Sequence, residues 1–374
     1  MGDELRGDSL VHLNVRFSKE SDLKKTLDFL YAKSKQNMGF TGLLEAVTSE
    51  VTIVTAIHNI KSNKGSKTAG VDEVIMDKYL QMPKEEVIML VQNSLKHYEP
   101  KPARRVYIKK SNGKERPLGI PTILDRIIQE CIRIIIEPIC EAKFYPASYG
   151  FRPYRAQKHA VREIVNIINA STKSLDQPVW ALEGDITGCF DNINHRLLLQ
   201  KLWKIGVHDK RVIKIISQML KAGYIEHDKL LNDGKGTMQG GILSPLLSNV
   251  YLNDFDWFIG RQYYNPKPHC KHLCNTRRRL KWMGTTPKYN IRYADDWVVL
   301  TSTQKEAIRL KRVLIKYFRH KLKLELSIEK TQISDMRTDG IRFLGFVIMA
   351  QPPRKTRETT GHILSENHIP ICKG

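Results

Sequence analysis

Three acids carry the chemistry this chain can offer. Asp295 and Asp296 are adjacent in Tyr293-Ala294-Asp295-Asp296, and Asp185 closes the mostly apolar run Val179-Trp180-Ala181-Leu182-Glu183-Gly184. The segments flanking the pair, Tyr289-Asn290-Ile291-Arg292 and Trp297-Val298-Val299-Leu300, read as paired β-strands, which puts both carboxylates at a hairpin tip. Like charges held together repel, so such a tip makes sense when a divalent cation neutralises it. If the strand ending in Asp185 is a neighbour, the acids converge and can bridge two Mg²⁺ ions. One ion would activate a primer 3′-hydroxyl and the other would hold an incoming triphosphate. A lone Asp after a strand is ordinary turn chemistry. Three acids at two such positions are not.

The rest of the chain is basic. Lys and Arg number 61 against 39 acids, a formal charge of +22, which exceeds what solubility needs and points to a polyanion partner, DNA or RNA. Residues 101–116 carry seven basic residues, Arg104 and Arg105 among them, and one acid, Glu115. Residues 261–292 carry nine basic residues, including Arg277, Arg278 and Arg279, and no acid. Tyr263, Tyr264, Trp282 and Tyr289 are interleaved there, as stacking on unpaired bases would want. Lys61, Lys64 and Lys67 form a third cluster in a polar loop.

A 41% apolar content excludes wholesale disorder, and 374 residues suffice for two or three subdomains. Six irregularly placed cysteines make no disulfide framework, and neither a signal peptide nor a membrane-length apolar run is visible. A reduced, cytoplasmic setting with no membrane partner is the expectation. His269-Cys270-Lys271-His272-Leu273-Cys274 has enough ligands for zinc, at a spacing that fits no familiar site.

Periodicity places these groups on elements. Residues 21–35 and 41–60 read as helices capped by Ser21 and Thr41. Residues 105–110 and 116–120 read as a hairpin round Asn112-Gly113. A helix follows from Ile123 and should stop at Pro138. Further helices are expected at 195–204, 209–222, 242–259, with Ser244-Pro245 at its start, and 303–321. Short strands are expected at 323–328, 332–335 and 341–349, with no strong periodicity from Gln351 onward. That order argues for an α+β fold, an antiparallel sheet backed by helices.

At this point the chain resembles a known family. Ala181-Leu-Glu-Gly-Asp185-Ile-Thr-Gly-Cys-Phe190-Asp-Asn-Ile-Asn-His195, Gln239-Gly-Gly-Ile-Leu-Ser244-Pro245 and Tyr293-Ala-Asp-Asp296 fall in order. With Arg116-Pro-Leu-Gly-Ile-Pro-Thr122, Gly150-Phe-Arg-Pro153 and Arg342-Phe-Leu-Gly-Phe346, they resemble the reverse transcriptase/maturase of bacterial group II introns over residues 40–350. The resemblance implies a right-hand polymerase with fingers and palm. It implies that Asp185, Asp295 and Asp296 hold two Mg²⁺ ions, with the Ile186 carbonyl assisting. Lys330 would protonate the leaving pyrophosphate. Phe190 would exclude a 2′-hydroxyl, Gln239 would approach the nucleotide sugar, and Lys110 with Arg116 would clamp the triphosphate, Lys109 being an alternative to Lys110.

The implied partners are an RNA template and the intron RNA, a DNA primer or target, and dNTPs; the setting is a bacterial ribonucleoprotein near the nucleoid. Only 28 residues follow Phe346, so a thumb should be absent or nearly so, and self-association into a homodimer is a further expectation. The expected division is an RNA-binding helical extension at 1–70, fingers at 71–178, palm at 179–350 and a tail at 351–374. The other reading is a non-catalytic maturase fragment that binds intron RNA as a scaffold. An RNA-dependent RNA polymerase gains slight support from Asp191, but Phe190 and the Tyr-Ala-Asp-Asp turn oppose it.

Overall fold

A computed structural model of the chain describes residues 9–13, 19–109, 113, 115–170, 177–232, 234–237, 240–267, 272–350 and, by backbone alone, 361–365. The chain divides into two units, residues 1–144 with 190–251 and residues 145–189 with 252–374. The stretch expected as fingers, 71–178, contributes to both.

Helix Ile123–Glu141 organises the first unit. Its isoleucines at 123, 127, 128, 132, 135, 136 and 139 are wholly buried, because helices Glu20–Lys35, Leu43–Val47, Glu50–Lys61 and Lys84–Lys96 pack around it. Thr122 caps it, its Oγ1 accepting from the Asp125 N–H at 3.1 Å. The expected stop at Pro138 is overturned: the helix runs on to Glu141. Proline removes one donor there, close to the end of the helix, and the Ser34 hydroxyl donates to the Ile139 carbonyl at 2.8 Å.

Two other expectations fail in this unit. Residues 41–60 form two helices rather than one, and neither Ser21 nor Thr41 caps; Lys19 and Gly42 hold the cap positions without side-chain bonds. The hairpin is present, as Ala103–Lys109 against Glu115–Ile120. It is extended by Tyr224–Glu226, parallel to its first strand, and by Lys229–Leu231.

The second unit rests on a four-stranded antiparallel sheet. Its spatial order is Gln332–Asp335, Trp180–Gly184, Asp296–Thr301, Lys288–Tyr293. Alternation along the strands sends Ala181, Ile291, Val298 and Leu300 into a core with Val161, Ile164 and Ile168 of helix Gln157–Ala170. Trp297 points the other way, against Phe255 and Phe318. Gly184 must be glycine, since a Cβ there would stand 2.0 Å from the Trp297 ring.

The expected helix at 303–321 is α-helical over Gln304–Tyr317 and closes in a π-turn, Phe318–Leu322. The strand expected at 323–328 reduces to one bridge, Ile186 to Leu326. Residues 341–349 split into a hairpin, Ile341–Phe343 and Phe346–Ala350, because Leu344 and Gly345 both take positive φ (54° and 81°). Gly361–Ser365 adds a strand where no periodicity suggested one. Among the described residues no helix is long and apolar enough to cross a membrane.

Candidate active site

The two strands of the acidic hairpin pair as far as Tyr293 opposite Asp296, leaving a two-residue turn of Ala294 and Asp295. Ala294 is left-handed (φ 56°), which costs a non-glycine residue about 1–2 kcal/mol. Such strain persists only where its surroundings impose it. Here Arg292 does so. Its guanidinium is buried, donates to the Ala294 carbonyl at 2.7 Å, and is itself anchored by both Asp256 oxygens (Oδ1 at 3.0 Å, Oδ2 at 2.7 Å) and the Ser148 hydroxyl (2.8 Å). Asn290 donates to the same Asp256 at 3.0 Å.

A second support comes from the segment before Gly150. The Tyr149 N–H donates to the Arg292 carbonyl (2.8 Å) and the Arg292 N–H to the Ala147 carbonyl (3.0 Å). This lays Gly150 on the turn so closely that a Cβ would meet the Ala294 nitrogen at 2.2 Å. Gly150 was legible as part of a motif, but its job was not. Arg292 and Asp256 were missed; the available signal was one arginine inside a strand otherwise facing the core.

Asp185 stands one step beyond the last paired rung, Gly184 opposite Trp297, so the register carries it towards Asp296. Its carbonyl accepts from the Ser327 N–H at 2.9 Å, and the Thr187 N–H donates to the Glu325 carbonyl at 3.0 Å. Those bonds bring Lys330 in, with Nζ 2.7 Å from Asp185 Oδ2. That bond to Asp185 raises the Lys330 ammonium above its ordinary range, so it stays charged at neutral pH. Asp296 reaches solvent, yet crowding by protein, then the charges of Asp295 and Asp185, push its carboxyl up to about 6.

The structure therefore gathers Asp185, Asp295, Asp296 and Lys330, and the Ile186 backbone runs beside them. The donors are hard oxygens, which suits Mg²⁺ and not a soft metal. Among the described residues no three acidic, His or Cys side chains close into a ready metal cage.

The remaining candidates belong to the first unit, to the basic clusters, or to stretches outside the described residues. Arg116 is exposed on the first unit's hairpin, opposite Ile108; Lys109 lies opposite Glu115, on the other face of the ribbon from Arg116. Lys110 and Gln239 lie outside the described residues, as do His269 and Cys270, leaving His272 and Cys274 as an exposed remnant of the zinc candidate. Phe190 is buried in the first unit, its carbonyl accepting from the Thr237 N–H at 2.7 Å. Lys61, Lys64, Lys67, Arg278 and Arg279 are exposed. Arg104 is engaged by the Ala69 carbonyl (2.8 Å), Arg105 lies over the Tyr224 ring (3.6 Å), and Arg277 donates to the Tyr264 carbonyl (2.9 Å).

Residues 108–348, which include every acid of this site, match the family Reverse transcriptase (RNA-dependent DNA polymerase). The chain belongs to the reverse transcriptase family. It is 35% identical to Protein YkfC of Escherichia coli K12, over 87% of each chain. It is also 35% identical to the Group II intron-encoded protein LtrA of Lactococcus lactis subsp. cremoris, covering 86% of this chain and 59% of that one. These matches place this reverse transcriptase with the group II intron reverse transcriptase/maturases. The chain thus spans well under two thirds of LtrA. A telomerase from Candida albicans, solved with a fragment of telomeric RNA, shares the reverse transcriptase fold at TM-score 0.51 and 13% identity. That likeness covers 78% of this chain and 50% of the telomerase and speaks to fold alone.

Proposed function

We propose that this reverse transcriptase copies RNA into DNA by magnesium-dependent nucleotidyl transfer, and that it binds its intron RNA to assist splicing and mobility. The observation that supports catalysis is the acidic site itself. Asp185 and Asp295–Asp296 stand at the ends of neighbouring strands, where burial first and the neighbouring carboxylates second raise the proton affinity of Asp296. A scaffold without chemistry gains nothing from that repulsion or from a left-handed Ala294.

In this reading Asp185, Asp295 and Asp296, with the Ile186 carbonyl, would hold the two cations. When bound, Mg²⁺ lowers the pKa of the primer 3′-hydroxyl and neutralises charge on the triphosphate. The 3′-hydroxyl gives its proton to water, its oxygen attacks the α-phosphorus, and the bond to the pyrophosphate oxygen breaks. Lys330, an ammonium beside Asp185, delivers a proton to that departing oxygen. Arg292, through the Ala294 carbonyl, keeps the acidic turn in place. The family resemblance assigns Phe190 to excluding the 2′-hydroxyl and Arg116 with Lys110 to the triphosphate. The second unit serves as palm, and the hairpin-bearing part of the first as fingers.

Primer extension on an RNA template with Mg²⁺ and dNTPs tests this. The chain should extend, and Asp295→Ala with Asp296→Ala should not, while RNA affinity stays within about twofold. Retained RNA binding without synthesis by the unsubstituted chain would leave only the scaffold role.

A further inference from the structure

The basic cluster at 261–292 is sorted by the structure. Arg292 is held by Asp256, Lys288 is paired with Glu306 at 2.9 Å, and Arg277 is bound to the Tyr264 carbonyl with its guanidinium 4.7 Å from that ring's centre. Helix Leu273–Trp282 carries three more besides Arg277. Arg278 and Arg279 are exposed and Lys281 is half-exposed. Trp282 is 88% exposed, one helical turn beyond Arg278.

Beside this helix runs a groove of about 520 Å³, lined by Arg278, Lys281, Tyr263, Tyr289 and Asn166. One acid reaches it, Glu163, whose carboxylate is engaged by the Tyr264 hydroxyl. A cationic, aromatic-walled groove, with an exposed indole next after Lys281 on the same helix, matches an unpaired nucleic-acid strand in charge and in chemistry. Paired A-form RNA keeps its bases stacked and offers that indole nothing to stack on.

We propose that helix Leu273–Trp282 and its groove dock a single-stranded loop of RNA, with Arg278 and Lys281 on phosphates and Trp282 stacked on an unpaired base. The choice of RNA rests on the reverse transcriptase/maturase reading; the groove and the exposed indole do not. A docking site of this kind would hold a structured RNA to the second unit through side chains other than the acids, so binding and synthesis are separable by substitution.

The test uses the full chain and three fluorescein-labelled probes: an RNA hairpin with a loop of about ten unpaired nucleotides, its stem as a blunt duplex, and the same hairpin in DNA. Trp282→Ala should weaken the RNA hairpin about 5- to 150-fold and leave the duplex unchanged, since stacking is worth about 1–3 kcal/mol per base. Arg278→Ala should weaken the RNA hairpin and lower its salt slope by about one. Both side chains are exposed, so the variants should fold, which circular dichroism checks. Unchanged hairpin affinity in both variants overturns the proposal. So does an equal loss on hairpin and duplex with Trp282→Ala, and so does tighter binding of the DNA hairpin. Primer extension on the same preparations separates the two readings. Lost synthesis with hairpin binding kept counts against the polymerase alone, and the converse against this docking site alone.

Discussion

Gly150 lies against Ala294 so tightly that a methyl group on its Cα would stand 2.2 Å from the Ala294 nitrogen. That nitrogen belongs to backbone in the turn bearing Asp295, and backbone cannot swing aside as a side chain can. Gly150→Ala should therefore move the turn. The expected outcome is a fall in kcat of about 100-fold, because displacements near 1 Å at a reacting centre have that effect. KM for dNTP should change little, while overpacking at about 1–3 kcal/mol lowers the thermal unfolding midpoint by a few degrees. An unchanged kcat would show that the turn relaxes without consequence.

Arg292 makes the same turn dependent on a buried ion pair. Its removal leaves Asp256, wholly buried, without its partner, which costs about 3–5 kcal/mol. Arg292→Met should thus unfold at clearly lower denaturant. Arg292→Lys is the more telling variant. One ammonium cannot reach Asp256, Ser148 and the Ala294 carbonyl as a planar fork does. Most stability should survive in Arg292→Lys while kcat drops about tenfold or more. If activity tracks stability across both variants, the contact with Ala294 has no role in catalysis.

The sequence exposed the acids because their neighbours were unmistakable: an apolar run ending in Asp185, and a polar pair between two runs of strand formers. The antiparallel sheet and the buried helix from Ile123 were legible for the same reason, a clear hydrophobic period. What was hidden depends on distant pairing. Arg292 looked like one more cation in a basic stretch, and only Asp256, 36 residues earlier, reveals it as an anchor. Pro138 looked like a stop because local rules know nothing of the packing that carries the helix past it. Leu344 gave no sign of a turn, since its positive φ is imposed by the hairpin rather than preferred by leucine.

Asp296 gives the site a pH dependence of defined sign. Its folded carboxyl sits at about 6, above its ordinary 3.8, from crowding first and the charges of Asp295 and Asp185 second. In the metal-free protein its contribution to stability is full below 3.8 and is lost as pH rises through about 6. Metal ligation requires the ionised form, so Mg²⁺ affinity should fall about tenfold per pH unit below that point. Calorimetric Mg²⁺ titrations at pH 5, 6, 7 and 8 check this. Asp296→Asn should flatten the profile between pH 5 and 7 and raise metal-free stability at pH 7. A profile as steep in Asp296→Asn as in the parent would assign the proton to another group.

Phe190 is where substrate choice can be separated from structure. The ring is buried and follows Asp185 by five residues, so its truncation removes core packing whatever else it does. Stability alone cannot decide its role, but a ratio can. Loss of fold scales dNTP and NTP incorporation together, whereas loss of a steric gate raises NTP incorporation selectively. Phe190→Ala should shift the ratio of kcat/KM for dNTP over NTP by about 10- to 100-fold, the range that a pocket's steric contacts command. Phe190→Tyr keeps the ring and should hold the ratio near that of the parent. Equal discrimination in all three proteins would return Phe190 to the core of the first unit and leave the choice of sugar to groups not yet identified.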